Sequence, residues 1–401
     1  MWEQIRSNQI RSAVLVAGMG VLLLFVGYFL GIYFLDSFIG GLIMALIVWA
    51  VMSLVAFFQG DNILLALAQA RKVSHDDHPR LYNIVEEMKI ASGLEKIPDI
   101  YIIDDPALNA FATGRNPDRA AVAITSGLLQ KLNRDELQGV IGHEIAHVKN
   151  RDVLLMAMSS VLLGTTVILA WYATRLMFFG GMVRSRRSSS SSGGAAQLIT
   201  LAVAISLMIL APIMAQLIYF AISRRREYLA DGSSALYTRY PEGLASALEK
   251  IAASTSQLKS ANQATAPMYI INPFRKEGRP ASDLTSTHPP LSERIRILRS
   301  MAGASFADYE QVYRQVHRTG RGIIPASAIT IGRATSLRPA EVEAAPLEPD
   351  KTERVRETSD LMWRLGNYKT IVCDCGTKLR VPPKFKEFTV RCPHCGRINP
   401  V

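Results

Sequence analysis

Cysteine is nearly absent from this chain. Of 401 residues only 4 are cysteine, all between Cys373 and Cys395, so no disulfide can brace anything before that point. Charge is scarce too: 20% of residues are charged and 8% aromatic, while 49% are hydrophobic and the mean hydropathy is positive. A soluble chain of this length would be two or three domains under a charged surface; this one is too apolar for that, which places part of it in lipid. Acidic residues are in deficit, 34 against 45 Lys and Arg, for a net charge of +11. The basic residues cluster beside apolar runs and in the C-terminal tail, so anionic headgroups are the expected counter-charge ahead of nucleic acid.

The apolar residues are concentrated in runs. Residues 13–35 and 38–58 are broken only by Asp36 and Ser37, which reads as two spanning helices joined by a tight turn. The first run has no small-residue cleavage site and is followed at once by a second, so the pair is an anchor rather than a removed signal. Runs 153–180 and 198–222 flank a low-complexity Arg-Ser-Gly segment at 184–194, giving two to four transmembrane helices. Arg6 and Arg11 precede the first run, Asp36 is alone in the turn, and Arg71 and Lys72 follow the second. That asymmetry puts the N-terminus and the segment after residue 60 in the cytoplasm. For the second pair, arginines at the tip (Arg175, Arg184, Arg186, Arg187) compete with Arg224–Arg226 at the exit, so it either spans, lies shallow or re-entrant, or packs on protein.

Between these pairs stands His143-Glu144-Ile145-Ala146-His147. Imidazoles four residues apart lie on one face of a helix and can take two corners of a zinc tetrahedron, while the intervening Glu144 faces a water rather than the metal. Asn133 is a good N-cap, with Glu136 three residues on and Asp135 in the first turn. Leu137, Ile141, Ile145 and Val148 form an apolar stripe away from the histidines, so one face should pack and the other bind. The alternative is a core helix whose histidines merely satisfy hydrogen bonds. A third ligand is available in Glu227, with Asp231 one turn on to hold a ligand imidazole in its tautomer; alone, these would read as solvated charges on a juxtamembrane helix. Residues 78–92 read as an amphipathic helix ended near Gly93, and β-like runs follow at 100–103, 120–125 and, more weakly, 109–113. An exposed edge strand there would hold an extended peptide through its main chain.

Asn109-Ala110-Phe111-Ala112-Thr113-Gly114, the Gly142–His147 helix, Glu227-x-x-x-Asp231 and His288-Pro289-Pro290 followed by Arg294-Ile295 stand in one order. In that order, over residues 1–300, the chain resembles the HtpX-type membrane zinc metalloproteases, relatives of the CAAX prenyl endopeptidases. The resemblance implies an α+β membrane protein with a mainly α-helical zincin-like (gluzincin) domain and a small sheet. It implies an endopeptidase, acting from the cytoplasmic side of the inner (plasma) membrane on misfolded or damaged membrane proteins in quality control under stress. His143, His147 and Glu227 would bind the catalytic zinc, Glu144 would activate water, Asp231 would support the ligands and His288 would stabilise the oxyanion. His288 also reads simply as a turn residue before a helix. Asn109, Ala110 and Phe111 would line the substrate.

The likeness ends near residue 302. Residues 303–365, and 317–359 above all, read as a linker with little core, and 366–401 as a small β zinc ribbon. Cys373-x-Cys375 and Cys392-Pro-x-Cys395 are expected to hold a structural zinc, with a hairpin through 379–381 and 388–390 between the pairs. Disulfides are the alternative, which a cytoplasmic location opposes. The expected organisation is an anchor over 1–60, a protease domain over 61–302 interrupted by 153–222, then linker and ribbon, with two zinc ions in all. Two further functions keep parts of this pattern: a membrane scaffold working through its ribbon, and a prenyl-protein peptidase.

Overall fold

The computed structural model describes residues 2–158, 161, 175, 205, 224–259, 268–271, 288–320, 322–325, 328–329, 336–338 and 348–401. The second pair of apolar runs therefore lies almost wholly outside the described residues. The first pair forms α1 (Trp2–Leu35) and α2 (Phe38–Leu67), reversed at Asp36, whose φ of 50° is left-handed, and at Ser37, whose hydroxyl caps α2. Both are long and apolar enough to cross a bilayer. Their outer faces expose Val14, Phe25, Ile43, Ile47, Leu54 and Phe58, a surface suited to lipid and not to water. Small residues let them approach closely: a Cβ on Gly31 would lie 2.6 Å from the Gly41 Cα.

Past α2 the chain forms β1 (Arg71–Val73), α3 (Pro79–Ser92), β2 (Asp99–Ile103), β3 (Ala110–Thr113), β4 (Ala121–Thr125), α4 (Ser126–Lys131) and α5 (Arg134–Lys149). The strands make one sheet in the order β1-β2-β4-β3, with β2 parallel to β4 and the outer strands antiparallel to their neighbours. Because side chains alternate across a strand, the sheet has two apolar faces. Ile100, Ile102, Ala110, Ala112, Val122 and Ile124 pack with α3 and α5 in the main core. Ile103, Phe111, Ala121 and Ala123 pack with Leu64, Leu65 and Ala68 where α2 ends. The sheet thus bridges the membrane anchor and the histidine helix.

Helix α6 (224–238) leads into α7 (Pro241–Ala253), then α8 (Leu291–Arg299), α9 (Phe306–His317) and α10 (Lys351–Leu365). Helices α5 and α7 nearly touch: a Cβ on Gly139 would meet the Leu244 nitrogen at 2.6 Å. Glu136 ties them by accepting from Ser246 Oγ at 2.7 Å and pairing with Lys250 Nζ at 2.6 Å.

Helix α5 is buried on its histidine face as well as on its apolar stripe: residues 136–148 are all buried, and the histidines look into the protein, not into solvent. Two expectations need correction here. Much of the expected linker belongs to the domain. Phe306, Tyr309 and Val312 of α9, Ile323 and Ile324 in the irregular chain after it, and Leu361 of α10 join the main core, because amphipathic helices separated by irregular chain still bury their apolar faces. In the ribbon, β5 (Lys369–Val372) pairs with β6 (Lys378–Val381), and β7 (Thr389–Arg391) with β8 (Ile398–Pro400). Each cysteine pair therefore sits in the turn of its own hairpin, instead of one hairpin lying between the pairs.

Candidate metal centre

The local sequence builds α5 as read: the Asn133 side chain accepts from the Glu136 amide, and Glu136 accepts from the Asn133 amide, both at 2.9 Å. One turn separates His143 from His147, and their Nε2 atoms stand 3.3 Å apart. From α6, Glu227 brings Oε2 to 3.6 Å from His143 Nε2 and Oε1 to 3.5 Å from His147 Nε2. The edge of a zinc tetrahedron with nitrogen and oxygen ligands is about 3.3–3.4 Å, so these three donors have the spacing and chemistry of a metal site. The alternative of histidines merely satisfying core hydrogen bonds does not account for nitrogens that face one another and a carboxylate.

Each imidazole is gripped from behind. His143 Nδ1 lies 3.0 Å from Asp231 Oδ1, and His147 Nδ1 donates to Asp152 Oδ2 at 3.0 Å. With Nδ1 protonated, Nε2 keeps its lone pair for a cation. Arg294 clamps Asp231 with two bonds, Nε to Oδ2 at 2.8 Å and Nη2 to Oδ1 at 2.7 Å, and its Nη1 stands 3.5 Å from Glu227. Asp152 has no motif of its own in the sequence. Arg294 belongs to the quoted pattern but received no role there. The only signal for either was a charged residue in an apolar setting, beside the histidine helix or on a helix carrying Ile295 and Ile297.

The electrostatics favour added positive charge. Glu144, Asp152, Glu227 and Asp231 are all buried, and Arg294 is the guanidinium that touches this group. Burial lowers the His143 pKa, but Asp231 and Glu227 outweigh it and hold it up at about 9. Burial raises both Glu227 and Asp231, yet the surrounding histidines and Arg294 keep Glu227 well below, and Asp231 below, the usual carboxylate value. Glu144 goes the other way: burial raises it, and neither of its oxygens has a hydrogen-bond partner among the described residues. The Ala112 amide approaches that carboxylate and tempers the shift. His288 closes the group from just before α8, its Nε2 3.8 Å from Glu227 Oε2, and burial lowers it to about 4. The structure thus brings His143, Glu144, His147, Glu227, Asp231 and His288 together.

The substrate strand differs from expectation. Strand β3 lies at the sheet's edge but is buried along its length, and the Ala110 carbonyl already accepts from Ile270 N–H at 2.9 Å. Asn109 is occupied in bonds to the Ala110 amide and the Ile271 carbonyl, and Phe111 points to the anchor side, edge-on to Tyr269 at 5.1 Å. Main-chain groups alternate along a strand, so Ala112, like Ala110, turns its own outward; it is the position nearest Glu144 that sequence reading passed over.

The four cysteines form a second group. Sγ–Sγ separations are 3.5 Å for Cys373–Cys395 and 3.7 Å for Cys375–Cys392, far from a disulfide bond and close to the roughly 3.8 Å edge of a four-thiolate zinc site. Amides of Gly376 and Gly396, both at positive φ, close the two turns onto Cys373 and Cys392.

Comparison with known proteins gives the family. The sequence profile described as "Peptidase family M48" matches residues 75–302. A "Protease HtpX homolog" of Streptococcus pneumoniae (strain Hungary19A-6) is 43% identical over 301 residues, 75% of this chain and 100% of that protein. One from Dictyoglomus turgidum (strain DSM 6724 / Z-1310) is 43% identical over 300 residues, 75% of this chain and 94% of its own. Among solved structures, the crystal structure of S. mikatae Ste24p aligns with a TM-score of 0.39 at 19% identity, over 74% of this chain and 67% of that one.

Proposed function

The chain belongs to peptidase family M48 and is a metalloprotease, and from that premise we propose that it is a membrane-bound zinc endopeptidase in which Glu144 is the general base. His143, His147 and Glu227 would hold the ion. Zinc at that point would acidify a water and polarise the scissile carbonyl. Glu144, whose raised affinity for a proton follows from burial, takes the water's proton and hands it to the departing amine. His288, neutral because of its burial, offers a hydrogen bond to the oxyanion. Asp231 and Asp152 hold the imidazoles, and Arg294 holds Asp231. An extended substrate pairs with the outward main chain of Ala112, since Ala110 is already engaged.

The observation that carries this reading is the set of three donors at tetrahedral spacing beside a buried carboxylate, Glu144, whose oxygens have no hydrogen-bond partner within bonding distance among the described residues. The test is detergent-purified protein incubated with an unfolded polypeptide. Cleavage should stop on zinc chelation, and Glu144→Gln should keep its zinc while losing on the order of 10³-fold or more in rate. Near-normal cleavage by Glu144→Gln would sink the mechanism.

The substrates proposed are misfolded or damaged membrane proteins, reached from the cytoplasmic face of the inner membrane. Support comes from the hairpin: the start of α1 and the end of α2 both abut the catalytic domain, which leaves the Asp36 turn on the far side of the bilayer. A cysteine placed at Asp36 should react with an impermeant reagent in whole cells, and one at Ser74 only after permeabilisation; the reverse result would overturn the orientation. A prenylated peptide run beside the unfolded substrate separates the prenyl-protein peptidase, and Glu144→Gln separates the scaffold, which needs no base.

A further inference from the structure

Asn8 is a buried amide at the polar start of the anchor. It lies in the first turns of α1, ahead of the apolar run that begins at residue 13, yet it is 1% exposed, and its Oδ1 has no hydrogen-bond partner among the described residues. A half-satisfied buried amide is costly, so the bonds it does make must offset that cost. What the side chain does make is a pair of donations. Nδ2 gives one hydrogen to Asp152 Oδ1 at 2.5 Å and another to the Asn150 carbonyl at 3.0 Å. Both partners are acceptors only, so the amide nitrogen, not the oxygen, must face them.

Asp152 is itself wholly buried, and its other oxygen accepts from His147 Nδ1. Among the described residues, its donors are therefore His147 on one oxygen and Asn8 on the other. The chain of contacts runs from a membrane helix to a buried carboxylate to an imidazole of the metal site. From it we infer that Asn8 is a positioning residue of the metal centre: it fixes the Asp152 carboxylate, and Asp152 fixes the tautomer and direction of the His147 ring. This rests on the reading of His143, His147 and Glu227 as zinc ligands. It means that the centre is fully assembled only when α1 is docked, so the anchor does more than hold the enzyme at the bilayer. Outer partners of metal ligands commonly alter affinity or activity by about 10- to 100-fold, which sets the size of the effect.

The experiment uses the full chain in detergent, with zinc content and the rate of zinc loss to a competing chelator measured beside peptide hydrolysis. The zinc of the four-cysteine ribbon serves as an internal reference. Asn8→Leu, similar in size but without donors, should release the non-ribbon zinc about tenfold faster or more. Its kcat should fall by a similar factor with KM nearly unchanged. Ser12→Ala, which removes a buried hydroxyl one turn along the same helix, should leave both properties alone.

Wild-type zinc release in Asn8→Leu would overturn the inference. So would equal losses in Asn8→Leu and Ser12→Ala, which would mark general packing. A wild-type chain whose zinc resides in the ribbon alone would overturn this inference together with the proposed metal site.

Discussion

Arg294 illustrates how much of a metal site is decided one side chain behind the ligands. Its guanidinium is 0% exposed and meets Asp231, also 0% exposed, through two short bonds, so each charge is tolerable only because of the other. Arg294→Met removes the clamp, leaves the carboxylate without its largest stabilising partner and lets Asp231 take up a proton. The expected result is a loss of about 3–5 kcal/mol in urea unfolding and weaker zinc retention. Arg294→Lys, which keeps the charge but not the fork, should fall between the two. A fully stable, zinc-replete Arg294→Met would show that the pair is dispensable. The proposed base and the three proposed ligands were legible in the sequence because their spacing, His143 to His147 and Glu227 to Asp231, is a property of single helices. Asp152, Arg294 and Ala112 were not, because what they do depends on which elements meet.

Helix α3 carries a titrating cap. His78 Nδ1 accepts from the Leu81 amide at 3.2 Å, the ring is buried, and burial, with Arg80 nearby, lowers its pKa to about 4. The folded state therefore holds it neutral, whereas the unfolded chain protonates it near 6.5. Its stabilisation is complete above about pH 6.5 and is lost as pH falls toward about 4, at most about 3 kcal/mol in all. His78→Asn keeps a cap acceptor without titrating. Its unfolding free energy, measured from pH 7 to 4, should decline less steeply than that of the wild type. Parallel curves would mean that His78 contributes no pH dependence. Helix α5 makes the complementary point about legibility. Its cap, its length and its histidine register were readable, but its burial on every side was not, because α6 and α7 come from residues far along the chain.

At the scale of the whole molecule, the ribbon docks on α10 through Arg380 and Lys378 to Asp360, with Arg380 also over the Trp363 ring at 5.3 Å. Helix α10 in turn buries Leu361 in the main core and passes Arg364 to the Asp77 carbonyl at 2.6 Å. A cut near Arg354 would therefore strip a packed helix from the catalytic domain. A cut just after Leu365 removes the ribbon alone. Truncation after Leu365 should lower zinc from two ions per chain to one and leave hydrolysis of a short unstructured peptide nearly intact, while truncation at Arg354 should also lower thermal stability. Metal analysis and a melting curve on both truncations decide this. Two ions retained after Leu365, or full loss of peptide hydrolysis, would mean that the ribbon is not a separate metal-binding module.

The sequence alone determined whatever is written within one element. Apolar length marked α1 and α2 as membrane helices, four-residue spacing marked the candidate ligands, and paired cysteines marked the ribbon. These are local regularities of rise and turn, and a chain cannot hide them. Tertiary structure decided the rest. It placed Asp152 behind His147, Arg294 behind Asp231, and Asn8 of the anchor behind Asp152. It also turned Phe111 toward α2 and folded α9 and α10 onto the core. Those contacts join residues far apart in the chain, 144 positions for Asn8 and Asp152 and 287 for Arg364 and Asp77, and nothing in local spacing encodes them. They exist because a buried charge must find its partner wherever the folded chain brings one.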